Sequence, residues 1–502
     1  MGVKAKIQLL KKMGVLKTMF LDEFVHSQQL KRSKEKSKKA GQPYHIGVDA
    51  SPTLDRYRHS LIPYARYQAH SPTDGFHSQI ARLADQIARS SALSTWVFDG
   101  KQRPPVKRNV NVIPDEPESY KDARETISAF GDCCHMAPGE AKAELAAMNT
   151  AGIIDAVLTD DSNAILLGVQ YVLRINSDSN TNAHSTETRL LIDVCDAQEI
   201  ENRLGLTRGD LITYAAIVGN DYDSGVNGVG PELGPECDEY LAQVCQQICD
   251  EFKYNTHGHL MTTRQAASTA LANSQKRIFN SESAVLKAFI MPLTSWSVTS
   301  APHVLVKSPK QHDLKKAVDV FCRFIKWKGD RLMHNLHTHF WAGMIIRMIT
   351  LKYLWFDPQT GNIFAPSHQE SIMFSHGHAF HPTPQSIIIG HTRKLPSAQT
   401  MDCIQVTFLI VTFLGQAVIY LNLAIGSAKK FPQSIRISVP SFLLAASAVI
   451  TAEKNTSYTN PQLSASSSSQ HYIELSDSDS DVEKELIGNT SSDTGTDIEW
   501  GE

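Results

Sequence analysis

Three apolar runs in the first third of the chain each end in an acid, and no other feature restricts the fold so strongly. HIGVDAS places Asp49 at a run's end, STWVFDG places Asp99, and IDAVLTDDSN places the pair Asp160 and Asp161. Short apolar runs alternating with helical patterns over residues 45–235 predict α/β architecture, with a mostly parallel, Rossmann-like sheet flanked by helices. One Asp after a strand is an ordinary turn residue. Three in succession on parallel strands would project from a single edge, where open α/β sheets place their ligand sites.

Two more acidic sites follow. VGNDYDSG supplies Asp221 and Asp223 after the helical pattern DLITYAAI. APGEAKAELAAM turns at Pro138 and Gly139 and then reads as a helix. On that helix Glu140 and Glu144 lie one turn apart and share a face, while Lys142 lies on another. Converging carboxylates repel unless a cation neutralises them. Hard oxygen ligands in such number favour Mg2+ or Mn2+. Two such ions about 4 Å apart clamp the attacking and leaving oxygens of a phosphodiester. The pattern therefore points to metal-assisted phosphoryl hydrolysis, with plain caps and turns as the competing origin of these acids.

Basic residues stand beside the acids. GKQRPPVKR sets Lys101, Arg103, Lys107 and Arg108 just past Asp99, where they could hold phosphates or form an ordinary charged loop. GVNGVG, with Gly225, Gly228 and Gly230, lets backbone N–H groups approach a phosphate. Charge is uneven along the chain. Residues 1–39 hold eleven Lys/Arg against three Asp/Glu, and residues 471–502 hold ten Asp/Glu against one Lys. A cationic body with an acidic tail suits a polyanionic partner.

The basic run KRSKEKSKK (31–39) reads as a solvated segment or a nuclear-targeting patch. Eight cysteines without a CxxC pair, and no leader-like opening, point to free thiols in a reducing compartment. Residues 236–310 read as a helical continuation and 311–452 as a C-terminal domain. Residues 403–428 carry no charge and are long enough to cross a membrane, or they form a buried β-rich segment or a gene-model insertion. Residues 453–502 are a Ser/Asp-rich tail expected to be disordered. Within it YIELSDSDSD (472–481) resembles a motif that adds a strand to a SUMO-like partner, or is a plain acidic tail. HNLHTH (His334, His337, His339) and HGHAFH (His376, His378, His381) have zinc-compatible spacing but no accompanying ligands. No Walker-type loop points to ATP.

MAPGEAKAELAAMNTAGIIDAVLTDDSNAILLG resembles the internal block of the XPG family of structure-specific nucleases. VDAS, VFDGKQRPP and VGNDYDSGVNGVGP resemble its other blocks in the same order, over about residues 1–235 and more faintly to 450. The resemblance implies a PIN-like α/β core, a helix-hairpin-helix element at GVNGVG with a K+ ion, and two divalent ions, Mg2+ or Mn2+. It implies hydrolysis of DNA at flaps, bubbles or four-way junctions in a nuclear repair or recombination setting. By position, Asp49, Asp99, Glu140, Asp161 and Asp221 match the family's metal carboxylates. The roughly forty residues between Asp99 and Glu140 resemble the resolvase branch and its fungal relatives rather than flap endonucleases. That branch implies a chromodomain-like C-terminal region and a homodimer on junctions.

The chain departs from the family at four places. Lys142 stands where a second Glu is expected, and Asn163 where an Asp is expected. KAKIQLL replaces a Leu-Trp pair near the N-terminus, and KRSKEKSKK lengthens the chain before Asp49. Lys142 exchanges a negative for a positive charge. At about 4 Å and an effective dielectric of 20 each unit pair amounts to about 4 kcal/mol. Two outcomes are open: Glu144 or Asp160 replaces the lost ligand in a metal nuclease, or Lys142 substitutes for a metal's charge in a protein that binds branched DNA without cutting it.

Overall fold

The computed structural model describes residues 15–35, 37–39, 42–60, 72–107, 110–112, 115–176, 189–209, 288–289, 292–299, 307–351, 383–394, 400–421 and 430–440, with short pieces at 211–212, 215, 220, 222, 355–356 and 363–364. All of them belong to one compact unit, Met1–Ala452. In chain order the first half contains β1 (Leu16–Phe20), α1 (Leu21–Lys34), β2 (Tyr44–Asp49), α2 (Ala50–Ser60), α3 (Pro72–Arg89), β3 (Ala92–Phe98) and the short hairpin β4 (Val106–Lys107) and β5 (Val110–Asn111). It continues with α4 (Glu118–Ala129), β6 (Cys133–Met136), α5 (Ala141–Thr150), β7 (Ala156–Leu158), α6 (Asn163–Leu166), β8 (Tyr171–Ile175), β9 (Leu191–Asp196) and α7 (Ala197–Leu204).

Seven of these strands form one sheet in the order β1-β9-β8-β7-β2-β3-β6. Pairings among β6, β3, β2, β7 and β8 are parallel, and β9 and β1 close one side antiparallel. The expected parallel sheet flanked by helices is therefore present. The parallel part of the sheet starts in the middle at β2, builds β3 and β6 to one side, and returns to build β7 on the other. This reversal beside β2 is the switch point at which such sheets open a crevice.

Side chains alternate across the sheet. Trp96 and Phe98 join the core under α1–α3, whereas Val97 joins the core under α5. Gly47 explains how closely α5 lies on β2. A Cβ there would stand 2.4 Å from both Ile154 Cδ1 and Leu145 Cδ2. The alanines of α5 (Ala141, Ala143, Ala146) are buried on the same side.

Further along are α8 (Ser295–Val298), α9 (Leu314–Arg323), α10 (Gly329–His339) and α11 (Trp341–Thr350). Then come β10 (Trp355–Phe356), β11 (Ile363–Phe364), β12 (Thr383–Lys394), β13 (Thr400–Leu409), α12 (Val411–Tyr420) and β14 (Ser434–Pro440). The segments before and after residue 310 share a core. Ala81 and Ala84 of α3 and Ala129 and Phe130 at the end of α4 cluster with α9–α11 and with Phe408, Leu414, Ile437 and Val439. Arg347 of α11 is wholly buried and donates to Asp132 Oδ1 at 2.7 Å, just before β6.

Two sequence expectations change. Residues 403–428 are not a membrane-crossing helix: 403–409 belong to β13, paired antiparallel with β12 and β14, and the helix that follows has ten residues. Ten residues span about 15 Å, half of a hydrocarbon core of about 30 Å. Among the described residues no helix is long and apolar enough to cross a membrane. The basic run is partly structural: Arg32 and Lys39 each reach Asp155 at 2.6 Å, and Arg32 lies over the Tyr44 ring. His334, His337 and His339 sit on α10, and His337 Nε2 lies 3.3 Å from Ser434 O. Residues 1–14, most of 236–310, His376, His378, His381, Cys245, Cys249 and the tail with 472–481 lie outside the described residues.

Truncating one partner of the buried pair isolates the other charge. Arg347→Met is expected to lower stability by about 3–5 kcal/mol, read by urea unfolding. Replacing Asp132 by Leu in the same chain is expected to restore much of the loss.

Candidate functional site

The site lies where β2, β3, β6 and β7 end. Asp49 is the last residue of β2 and is buried. It accepts a hydrogen bond from the Thr159 hydroxyl at 2.8 Å, across the switch point from the end of β7. Burial first, and then repulsion from Asp99 and Asp161, push its carboxyl up to about 8; the Thr159 bond and the Lys142 charge oppose this.

Asp99 follows β3. Its Oδ1 accepts from Ala141 N at 2.8 Å, so it caps the first turn of α5, where the helix dipole favours an anion. Its Oδ2 faces Arg103 at 3.2 Å. Gly100 N donates to Gly139 O at 2.7 Å, tying the loops that carry Asp99 and Glu140. A Cβ on Gly100 would stand 1.9 Å from Ala137 O, so glycine is needed for that approach.

Glu140 is the N-cap residue of α5, with extended backbone (φ −85°, ψ 135°). Its carboxylate accepts from the Tyr222 hydroxyl on Oε2 and meets Lys107 of β4 as an ion pair on Oε1. Burial raises the Tyr222 phenol well above its ordinary value, keeping it a donor. Asp161 accepts from Asn163 N at 2.9 Å on Oδ1. Its Oδ2 receives Lys142 Nζ at 2.8 Å.

Lys142 is only 5% exposed. Its ammonium points among the carboxylates, 3.8 Å from Glu140 Oε2 and 5.3 Å from the centre of the Tyr222 ring. Lys142 therefore lies with the acids and not on a separate face.

The two proposed replacement ligands lie elsewhere. Glu144 is fully buried, with Oε1 2.9 Å from His135 Nε2 and Oε2 accepting from Ser295 N at 2.8 Å. Both its oxygens are committed, one to His135 of β6 and the other to the first residue of α8. Asp160 pairs with Arg56 and lies 3.8 Å from Arg174, turned away from Asp161 by the backbone. Lys101 is exposed beside the crevice. Arg108, Asp221, Asp223, Gly225, Gly228 and Gly230 lie outside the described residues. Thr159 and Tyr222 were not expected as parts of the site. Thr159 directly precedes the acidic pair and Tyr222 stands between two acids, which is the signal the sequence held.

The donor set fits a divalent ion only in part. Among the described residues no three His, Cys, Asp or Glu side chains gather closely enough to hold one ion. Asp49 and Asp99 are close enough to repel, and Mg2+ needs only one or two carboxylates when water and substrate phosphates complete its shell. The Glu140–Asp161 side is already filled by Lys142.

The fold is that of an α/β chain built like solved DNA junction-resolving nucleases. A crystal structure of the Holliday junction-resolving enzyme GEN1 with product DNA and Mg2+ covers 90% of this chain and 98% of its own, at TM-score 0.56 and 17% identity. Another of the eukaryotic GEN-1 enzyme with sodium gives TM-score 0.59 at 17% identity, covering 91% of this chain and 99% of that one. Residues 133–221 match the XPG I-region. Flap endonuclease GEN-like 1 of Arabidopsis thaliana is 35% identical over 153 residues, 30% of this chain and 23% of that protein. DNA repair protein RAD2 of Saccharomyces cerevisiae is 31% identical over 114 residues, 23% of this chain and 10% of its own. The matched part thus spans a quarter or less of these two relatives.

A carboxyl held above its ordinary value of 3.8 binds its proton more tightly in the folded state. Its contribution to stability is present below about pH 4 and is lost as pH rises to about 8. In chelator at pH 8.5, Asp49→Asn is expected to raise the thermal midpoint by on the order of several degrees. The gain is expected to vanish toward pH 4, as differential scanning calorimetry would show.

Proposed function

We propose that the protein is a structure-specific DNA endonuclease acting on branched DNA in nuclear repair or recombination. The observation that carries this reading is the gathering of Asp49, Asp99, Glu140 and Asp161 from four chain segments at one sheet edge, next to a basic hairpin. The substrate is a flap, bubble or four-way junction, bound through its phosphates. Lys101 supplies an exposed cation, and Arg103 and Lys107 line the crevice lip. Arg108 and the glycines Gly225, Gly228 and Gly230 are further candidate contacts to duplex backbone, with a K+ ion.

Asp49 and Asp99 would hold Mg2+ or Mn2+, with Asp221 as a further candidate ligand. Bound there, a divalent ion supplies Lewis acidity toward a phosphodiester oxygen. Thr159 orients Asp49, and Tyr222 and Lys107 orient Glu140. Residues 311–452, with the three-stranded sheet and α12, form a chromodomain-like extension. Junction cutting uses a homodimer, and residues 472–481 engage a SUMO-like partner.

The buried Lys142–Asp161 pair favours a second reading, in which the protein binds branches without cutting. The deciding measurement is incubation of the full chain with flap and four-way junction DNA in Mg2+ or Mn2+. Metal-dependent product is expected; binding with no product selects the second reading.

Phosphate contacts also predict a salt effect. Lys101→Ala is expected to weaken junction binding at every sequence and lower the slope of log K against log salt by about 1, read by fluorescence anisotropy.

A further inference from the structure

The four described carboxylates of the crevice differ in what already neutralises them. Asp161 has both oxygens occupied, Oδ1 by the Asn163 N–H at 2.9 Å and Oδ2 by the Lys142 ammonium at 2.8 Å. Glu140 accepts the Tyr222 hydroxyl on Oε2, and its Oε1 is ion-paired with Lys107. Asp99 has one oxygen on the α5 amide and the other 3.2 Å from Arg103 at the lip. Asp49 accepts only the Thr159 hydroxyl and makes no ion pair among the described residues.

Lys142 cannot leave easily. Its backbone lies in the first turn of α5, which is pinned by the Asp99 cap and packed on β2. Its side chain is 6% exposed and roofed by the Tyr222 ring. A buried ammonium is tolerated where carboxylates surround it, and removing them would leave it uncompensated. An ammonium and a dication seeking the same lone pairs exclude each other.

We infer that Lys142 is a resident cation that takes the place of a divalent ion on the Glu140–Asp161 side, so that the crevice binds a single divalent ion, on the Asp49–Asp99 side. The nature of the ion rests on the nuclease reading above. A lone Mg2+ or Mn2+ on two carboxylates, completed by water and phosphate, is ordinary coordination for these metals. Asn163, with no charge, then suits the side that needs no further anion.

The test counts Mn2+ bound to the full chain without DNA, by isothermal titration and by the electron paramagnetic resonance of free Mn2+. One ion per chain is expected, lost in Asp49→Asn. Lys142→Gln is expected to raise the count to two. Because that variant empties a packed site, Mn2+ anomalous scattering from crystals of the unaltered protein is the second measurement. A single peak between Asp49 and Asp99 is expected. Two ions on the unaltered protein, none at all, or a peak at Asp161 would overturn the inference. Junction binding in chelator, by gel shift, reports on the nuclease reading separately. Its loss with a count of one would sink that reading and leave the resident cation standing.

Discussion

Mutual repulsion among carboxylates at one end of a parallel sheet is the constraint around which this protein is organised. The topology forces the problem, because β2, β3 and β7 all deliver an acid to the same edge and α5 adds Glu140 at its mouth. The chain answers with its own cations. Lys142 serves Asp161, Lys107 serves Glu140 and Arg103 serves Asp99. Asp49 is buried and, among the described residues, accepts a hydrogen bond only from the Thr159 hydroxyl, so its charge is the one the fold opposes most.

Much of this was legible from spacing. An apolar run that ends in Asp specifies both a strand and the direction of its last side chain, and Asp49, Asp99 and Asp161 fell where that logic put them. The reading of α5 failed on one residue. Glu140 and Glu144 share a face only if both are helical, and Glu140 is the extended cap that precedes the helix. That shift sends Glu144 toward His135 and brings Lys142 into the crevice. Periodicity cannot report it, since the cap is set by the Gly100–Gly139 contact from another strand. Asp160 and Asp161 were also inseparable in sequence; past the end of β7 one pairs with Arg56 and the other with Lys142.

The C-terminal half was the least legible. Its uncharged stretch satisfied a membrane criterion because a strand and a helix that bury one core look alike in composition. Phe408 and Ile410 enter the core from the end of β13, and Leu414, Ala417 and Val418 enter it from α12. What separates the two elements is the antiparallel pairing with β12 and β14, a long-range fact. The same core reaches Asp132 at the start of β6 through Arg347, so the helices after residue 310 buttress the strand that leads into Glu140.

Strand β1 pairs with β9 across some 175 residues, Lys17 opposite Val194, and the helical core closes only when β14 arrives near residue 440. On a ribosome adding about 5–20 residues per second, the stretch from the end of β9 to the end of β14 takes about 12–50 s to make. For that interval the edge of the acidic sheet and the apolar faces of α3 and α4 are made but uncovered. The nascent chain therefore depends on protection during translation that a protein finishing its core early would not need.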